Sequence, residues 1–135
     1  MGNFREALSY CERGLAICRE VGERNWEAAA LDSLGLIHDG LGDRDRAVEC
    51  YEQAAAIYRD LGDRFNEADT LMSLGDVLAR AAETAVARAR WAQALRIFDE
   101  IGHPDGDEAR ARLEGAEFRP RAEGEAPGAG TPPGG

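Results

Sequence analysis

Apolar residues recur every three or four positions along most of this chain, which is the spacing of an amphipathic helix. Residues 31–57 contain two such patterns, separated by a turn at residues 40–43. The first pattern carries Gly35 and the second carries Ala47, and residues this small allow two helix backbones to approach closely. Tyr51 lies one turn beyond Ala47 and fills the remaining space. The stretch therefore predicts an antiparallel helix hairpin.

The hairpin pattern recurs at an interval of about forty residues. Shifting the sequence against itself by that interval aligns glycines, leucines and charged residues, and this alignment indicates an internal duplication. A third copy of the pattern is weaker. The matched pairs include Gly22 and Gly62, Glu27 and Glu67, Leu31 and Leu71, Leu34 and Leu74, and Gly35 and Gly75, and the third copy keeps Ala87, Trp91, Ala94, Ile97 and Gly102.

Turn chemistry indicates where each helix starts and stops. Gly22, Gly62 and Gly102 are placed to end helices, and Asp43 and Asp63 are placed to cap the start of helices. An all-α fold of about six helices is predicted, at about residues 3–21, 24–40, 44–60, 64–81, 84–100 and 105–115.

The domain organisation follows from these helices. We predict one helical repeat domain over residues 1–116, in which the repeats stack on one another. Residues 117–135 are rich in glycine and proline, and we expect them to form a disordered tail. The predicted units of the repeat domain are a half repeat at 2–22, repeats at 24–61 and 64–101, and a closing helix at 105–115.

The order leucine–glycine, alanine, aromatic, alanine at Leu34, Gly35, Ala47, Tyr51 and Ala54 resembles the tetratricopeptide repeat. This resemblance covers about residues 2–113 and implies a right-handed α-solenoid of antiparallel helix pairs. The junctions at residues 21–28 and 61–68, with the ending at 101–105, are similar to the C-terminal repeat region of actinobacterial SARP-type and NB-ARC transcription regulators. That similarity implies the sensor part of a bacterial signalling or transcription regulator. The chain has no DNA-binding or nucleotide-binding segment, so neither activity is carried over.

In the tetratricopeptide family the first helices of successive pairs line a concave groove, and the resemblance implies which side chains lie there. An acidic groove with apolar contacts suits a basic or amphipathic peptide of a partner protein. The alternative is that the aspartates only solvate an exposed helix face. The candidate partner-binding residues are Asp32, Leu36 and Asp39 on the second predicted helix and Asp69, Met72 and Asp76 on the fourth.

A second hypothesis concerns the first predicted helix. Phe4, Leu8, Cys11 and Leu15 are expected to need a covering helix, and an uncovered end of a solenoid commonly binds another subunit. The chain would then be a structural array that forms a homo-oligomer through these four residues. A fragment of a longer repeat protein would have the same uncovered end.

Composition excludes several other functions. The formal charge of -10 argues against nucleic acid or an anionic membrane as a direct partner. No apolar run is long enough to span a bilayer and no signal peptide is present, so we expect a cytoplasmic protein. Its basic residues are all arginine, which we interpret as bacterial codon bias.

Candidate catalytic and metal-binding residues are few. Cys11 and Cys18 lie too far apart along one helix for a disulfide, and Cys50 lies on the next repeat. His38 and His103 have no cysteine or carboxylate at ligand spacing. No glycine-rich phosphate loop occurs. We therefore expect a non-catalytic protein without cofactor or metal.

Overall fold

The computed structural model describes residues 2–115, and in this part of the chain every regular element is a helix. The bounds agree with the predicted ones to within one residue, because the glycines and aspartates at the junctions act as expected. Residues 117–135, where the sequence predicts a disordered tail, lie outside the described residues. The helices are α1 (Gly2–Val21), α2 (Arg24–Gly40), α3 (Arg44–Leu61), α4 (Arg64–Arg80), α5 (Thr84–Ile101) and α6 (Gly106–Glu114).

Local hydrogen bonds define the junctions between helices. The side chains of Asp43 and Asp63 each accept a hydrogen bond of 3.2 Å, from the backbone N–H of Arg46 and Asn66. Each bond satisfies a backbone donor that the first turn of a helix leaves unpaired. Gly62 ends α3 in the left-handed conformation at φ 74°, where a side chain would be strained. The predicted caps are therefore confirmed.

The helices stack in chain order, each packing against the one before and the one after it. α3 shows why this arrangement is stable, since it buries apolar side chains on two sides. Ala54, Ile57 and Tyr58 belong to a core shared with α1 and α2, whereas Ala47 and Tyr51 belong to a core shared with α4 and α5. The fold is an α-solenoid of antiparallel helix pairs, in agreement with the prediction.

Each helix pair is closed by an aromatic ring seated on a glycine. A Cβ atom added at Gly35 would lie 2.8 Å from Cε1 of Tyr51, which is closer than real Cβ contacts. Gly75 meets Trp91 in the same way in the next repeat. The small-against-large packing that the sequence predicts at Gly35 and Tyr51 is therefore confirmed, and it lets the backbones of α2 and α3 approach closely.

Successive repeats are also joined by a carboxylate between two arginines. Glu67 of α4 is only 3% exposed and lies 3.2 Å from Arg59 of α3 and 2.8 Å from Arg64 of its own helix. Glu27, its equivalent forty residues earlier, pairs with Arg19 and Arg24 at 3.1 and 3.4 Å. The matched glutamates of the sequence repeat are therefore junction residues.

Candidate partner-binding surfaces

The first helices of the pairs, α2 and α4, lie side by side with α6, and polar contacts join them. Thr70 of α4 donates to Asp32 of α2, and Arg112 of α6 donates to Asp76 of α4. We call this surface the first-helix face. It carries the residues that the sequence predicts to bind a partner, namely Asp32, Leu36, Asp39, Asp69, Met72 and Asp76.

Two of its four aspartates are neutralised within the fold. Arg80 of α4 forms a short ion pair with Asp39 of α2. The guanidinium of Arg112 binds both oxygens of Asp76, at 2.7 and 3.1 Å, and the indole N–H of Trp91 donates to Asp76 at 3.1 Å. An arginine this close offsets the negative charge that the carboxylate would otherwise offer to a partner. Asp39 and Asp76 therefore act as links between repeats.

Asp32 is partly buried. Its oxygens accept hydrogen bonds of 2.9 and 3.0 Å from the hydroxyl of Thr70, and Tyr58 also hydrogen-bonds to it. Burial raises the pKa of Asp32 to about 6, against the opposing effect of these two hydrogen bonds, because desolvation disfavours the charged form. No arginine is paired with Asp32 among the described ion pairs.

The two apolar residues of the predicted site differ. Leu36 is 64% exposed, so it is accessible on the first-helix face. Met72 is 6% exposed and packs in the core shared by α3, α4 and α5, so the expectation that it offers an apolar contact to a partner is wrong. The reason is that α4 buries residues on more sides than a single stripe, with Leu71 and Met72 both in the core.

The exposed negative charge lies toward α6. Asp69 is exposed, and its pKa is raised first by partial burial and then by the negative charges of Asp105 and Glu108. The side chain of Glu108 is 70% exposed, and His103 lies near the same carboxylates. Like charges held close together favour a cation between them. This end of the first-helix face is therefore more acidic than the middle.

Sequence reasoning missed an aromatic cluster beside these carboxylates. The ring centroids of Phe65 and His103 are 4.8 Å apart, and His103 lies 5.6 Å from Phe98. Phe65 is four residues before Asp69 on α4, so the two lie on the same side of that helix. That spacing places Phe65 beside Asp69 and could have been noticed in the sequence. The sequence does not reveal that His103, in the turn between α5 and α6, packs against Phe65.

The second predicted surface, at the end of the solenoid, is also corrected. Leu15 is buried, and Leu8 and Cys11 pack against the core of α2 and α3. The ring of Phe4 sits on Gly40 of α2. Leu15 therefore faces inward, whereas Leu8 and Cys11 are only half-buried and Phe4 stays 39% exposed beside α2. The prediction of an exposed apolar face is wrong for Leu15, and Leu8, Cys11 and Phe4 are covered only in part.

The exposed apolar residues at this end are different ones. Ile17 of α1 is 59% exposed and Trp26 of α2 is 67% exposed. Trp26 lines a groove of ≈ 360 Å³ whose lining is mostly apolar. We call this surface the α1 end face. The groove is lined by Cys11, Gly14, Cys18, Trp26, Ala29, Ala30 and Ser33.

The described residues contain neither a metal-binding group nor a membrane-spanning helix. Within residues 2–115, no group of three histidine, cysteine or carboxylate side chains is arranged to hold a metal ion. No helix in the same range is both long enough and apolar enough to cross a membrane. Cys11, Cys18 and Cys50 are free thiols.

Comparison with known proteins agrees with the fold. Residues 1–60 match the tetratricopeptide repeat family model. The match covers the stretch that includes the Gly35–Tyr51 pair, and it supports a tetratricopeptide repeat protein. Repeats of this family generally mediate protein–protein interaction and are generally non-catalytic. No curated protein matches the sequence.

Proposed function

We propose that this chain is a non-catalytic interaction module that binds a basic or amphipathic segment of a partner protein on the first-helix face. The observation that carries the proposal is the combination of an exposed leucine, Leu36, with the exposed carboxylates Asp69 and Glu108 on neighbouring helices. An amphipathic peptide offers the complementary groups, namely an apolar side chain and a guanidinium or ammonium.

The aromatic cluster supports the same ligand chemistry. Phe65 is 37% exposed, and His103 lies against it beside Asp105. A cation held over an aromatic face and near carboxylates gains from both interactions. The six residues first predicted from the sequence therefore contribute unequally. Leu36 and Asp69 contact the partner, and Asp32 borders the site.

The same proposal extends to the kind of protein that contains this module. The junction sequences at residues 21–28 and 61–68 resemble those of bacterial transcription regulators. We propose a cytoplasmic bacterial protein in which the repeats act as the sensor or regulatory part of a signalling or transcription regulator. Binding of the partner segment would be the signal that the repeats transmit.

Charge reversal tests the peptide-binding site directly. The probe is a fluorescently labelled helical peptide with leucines on one face and arginines on the other, and the readout is fluorescence anisotropy. Replacing Asp69 and Glu108 with arginine, or Leu36 with glutamate, should weaken binding about tenfold or more. Raising the salt concentration should weaken binding to the unaltered chain.

The matched control reverses two carboxylates elsewhere. Glu49 and Glu52 of α3 are exposed and lie outside the first-helix face, so Glu49→Arg with Glu52→Arg changes the net charge equally. Binding should then change less than twofold. An equal loss in this control, or no loss in the first-helix variants, would overturn the proposed site. Circular dichroism of each variant confirms that the fold is retained.

A further inference from the structure

At three of the helical glycines, an aromatic ring occupies the space of the missing side chain. Tyr51 covers Gly35, Trp91 covers Gly75, and Phe4 covers Gly40. In each case a Cβ atom at the glycine would overlap the ring, so the ring fills the space that the missing side chain leaves. A Cβ atom at Gly14 of α1 would have no neighbour within 4 Å.

An exposed aromatic ring lines the same groove as Gly14. Trp26 is 67% exposed, although indole is among the side chains that gain most from burial. The other residues that line the groove with Gly14 are all small, namely Cys11, Cys18, Ala29, Ala30 and Ser33. The α1 end face therefore presents an exposed aromatic side chain, Trp26. It also presents open space at Gly14 into which an aromatic ring could pack.

We infer that the α1 end face binds a second copy of this chain, with Trp26 of each copy seated on Gly14 of the other. A surface that carries both the knob and the hole is self-complementary, which is the requirement of a closed two-fold dimer. The packing would repeat between chains what Trp91 and Gly75 do within one. This inference goes beyond the proposed peptide-binding function and uses a different surface.

Charge favours the same pairing. The chain has a formal charge of -10, so two copies repel each other across most of their surface. α1 carries three arginines and three glutamates, so its charges balance. Two copies therefore meet with less repulsion through α1 than through the acidic first-helix face.

The opposite end of the solenoid does not offer the same surface. α6 buries Gly106 and Ala109, and its outward positions are mostly charged, including Asp107, Glu108 and Glu114. A charged surface of this kind would not pack favourably against the apolar groove of the α1 end face. The dimer is therefore expected to close through two α1 end faces and not to grow head to tail into a filament.

The first test is the mass in solution, measured by light scattering or sedimentation from about 1 to 500 µM, a range that brackets the affinity of a small apolar interface. A reversible monomer–dimer equilibrium is expected. Trp26→Ser removes the knob and Gly14→Leu fills the hole, so each should weaken the dimer at least tenfold. Leu36→Ser is the matched control, because Leu36 is an equally exposed apolar residue on the first-helix face, at 64%.

Fluorescence gives an independent readout. Trp91 is 1% exposed, so its emission should not depend on concentration, whereas emission of Trp26 should shift to shorter wavelength as the dimer forms. Mild oxidation gives a third readout, since a disulfide-linked dimer should form in Cys50→Ser but not in a chain with both Cys11→Ser and Cys18→Ser.

The outcomes separate clearly. A monomer at every concentration overturns the inference, as does a dimer that persists in both Trp26→Ser and Gly14→Leu. Loss of the dimer in Leu36→Ser would assign the contact to the first-helix face and also overturn it. Circular dichroism distinguishes a folded monomer from an unfolded variant. Gly14 has open space above it and Trp26 is exposed, so both variants should fold.

Discussion

Aspartates of the first-helix face differ in what surrounds each of them. Asp39 and Asp76 each have an arginine partner from the next first helix, and their charge is used within the fold. Asp32 has hydroxyl partners instead, so its burial is not offset by a positive charge. Asp69 remains exposed beside other carboxylates. One residue type thus has three roles on one face.

The setting of Asp32 predicts a pH dependence of stability. Its pKa is raised from 3.8 to about 6 in the folded chain, so folding favours the protonated form. The stability contributed by this group is fully present below about pH 3.8 and is lost as the pH rises through about 6. Asp32→Asn resembles the protonated form, and its amide oxygen can still accept from Thr70. The variant should unfold with a free energy about 1 kcal/mol higher at pH 7.5.

Urea unfolding at two pH values tests this expectation. The difference between Asp32→Asn and the unaltered chain should be largest at pH 7.5 and should shrink toward pH 4.5, where Asp32 is itself protonated. Asp69→Asn is a useful control because Asp69 is exposed, so the corresponding difference should be smaller. A variant that is less stable than the unaltered chain at pH 7.5 would contradict the prediction.

Single residues also show where sequence reasoning stops. The packing of Tyr51 on Gly35 could be predicted, because both lie within one hairpin and helix geometry fixes their spacing. The pairing of Arg112 with Asp76 could not, because the two are thirty-six residues apart and many arginines are available. Met72 was misplaced for a related reason. Helical periodicity indicates a side of a helix, but the neighbours decide how wide the buried side is.

Whole helices were easier to predict than their contacts. Glycine at a left-handed position and aspartate at a cap act through local geometry, so Gly62 and Asp63 determine a junction almost alone. The face of α1 that stays exposed depends on where α2 lies, and the sequence gives no direct measure of that. As a result Leu15 was expected at the surface, and it is buried.

The junction between α3 and α4 gives a prediction about helix pairs. Glu67 is buried between Arg59 and Arg64, so removing both arginines would leave a buried carboxylate without a partner. Arg59→Ala with Arg64→Ala should therefore lower the free energy of unfolding. The measurement is urea unfolding followed by circular dichroism.

The repeat supplies a matched control for this pair. Arg19→Ala with Arg24→Ala makes the same change one repeat earlier, where the side chain of Glu27 is 12% exposed compared with 4% for Glu67. Because Glu27 is better solvated, the loss should be smaller than at Glu67. Equal losses at the two junctions would show that burial of the glutamate does not determine the effect.

At the scale of the whole molecule, each helix contacts mainly its neighbours in the chain. Stability in such an array is a sum of local terms, so a change at one end should not reach the other. α6 is held by Ala109 in the core and by the ion pair of Arg112 with Asp76. This arrangement separates the acidic end of the first-helix face from the α1 end face, and a partner could bind at one while a second copy binds at the other.

Hydrogen exchange of an Arg112→Ala variant tests this independence. Loss of the two bonds to Asp76 should let α6 open more often, so its amides should exchange about tenfold faster. Arg110→Ala is the control on the same helix, because Arg110 pairs at 3.3 and 3.2 Å with the more exposed Asp99 and Asp107, and it should have a weaker effect. Amides of α1 to α3 should keep their rates in both variants, since α6 packs mainly against α5. Faster exchange throughout α1 to α3 would instead mean that the solenoid opens as one cooperative unit, and that an event at the acidic end can be transmitted to the α1 end face.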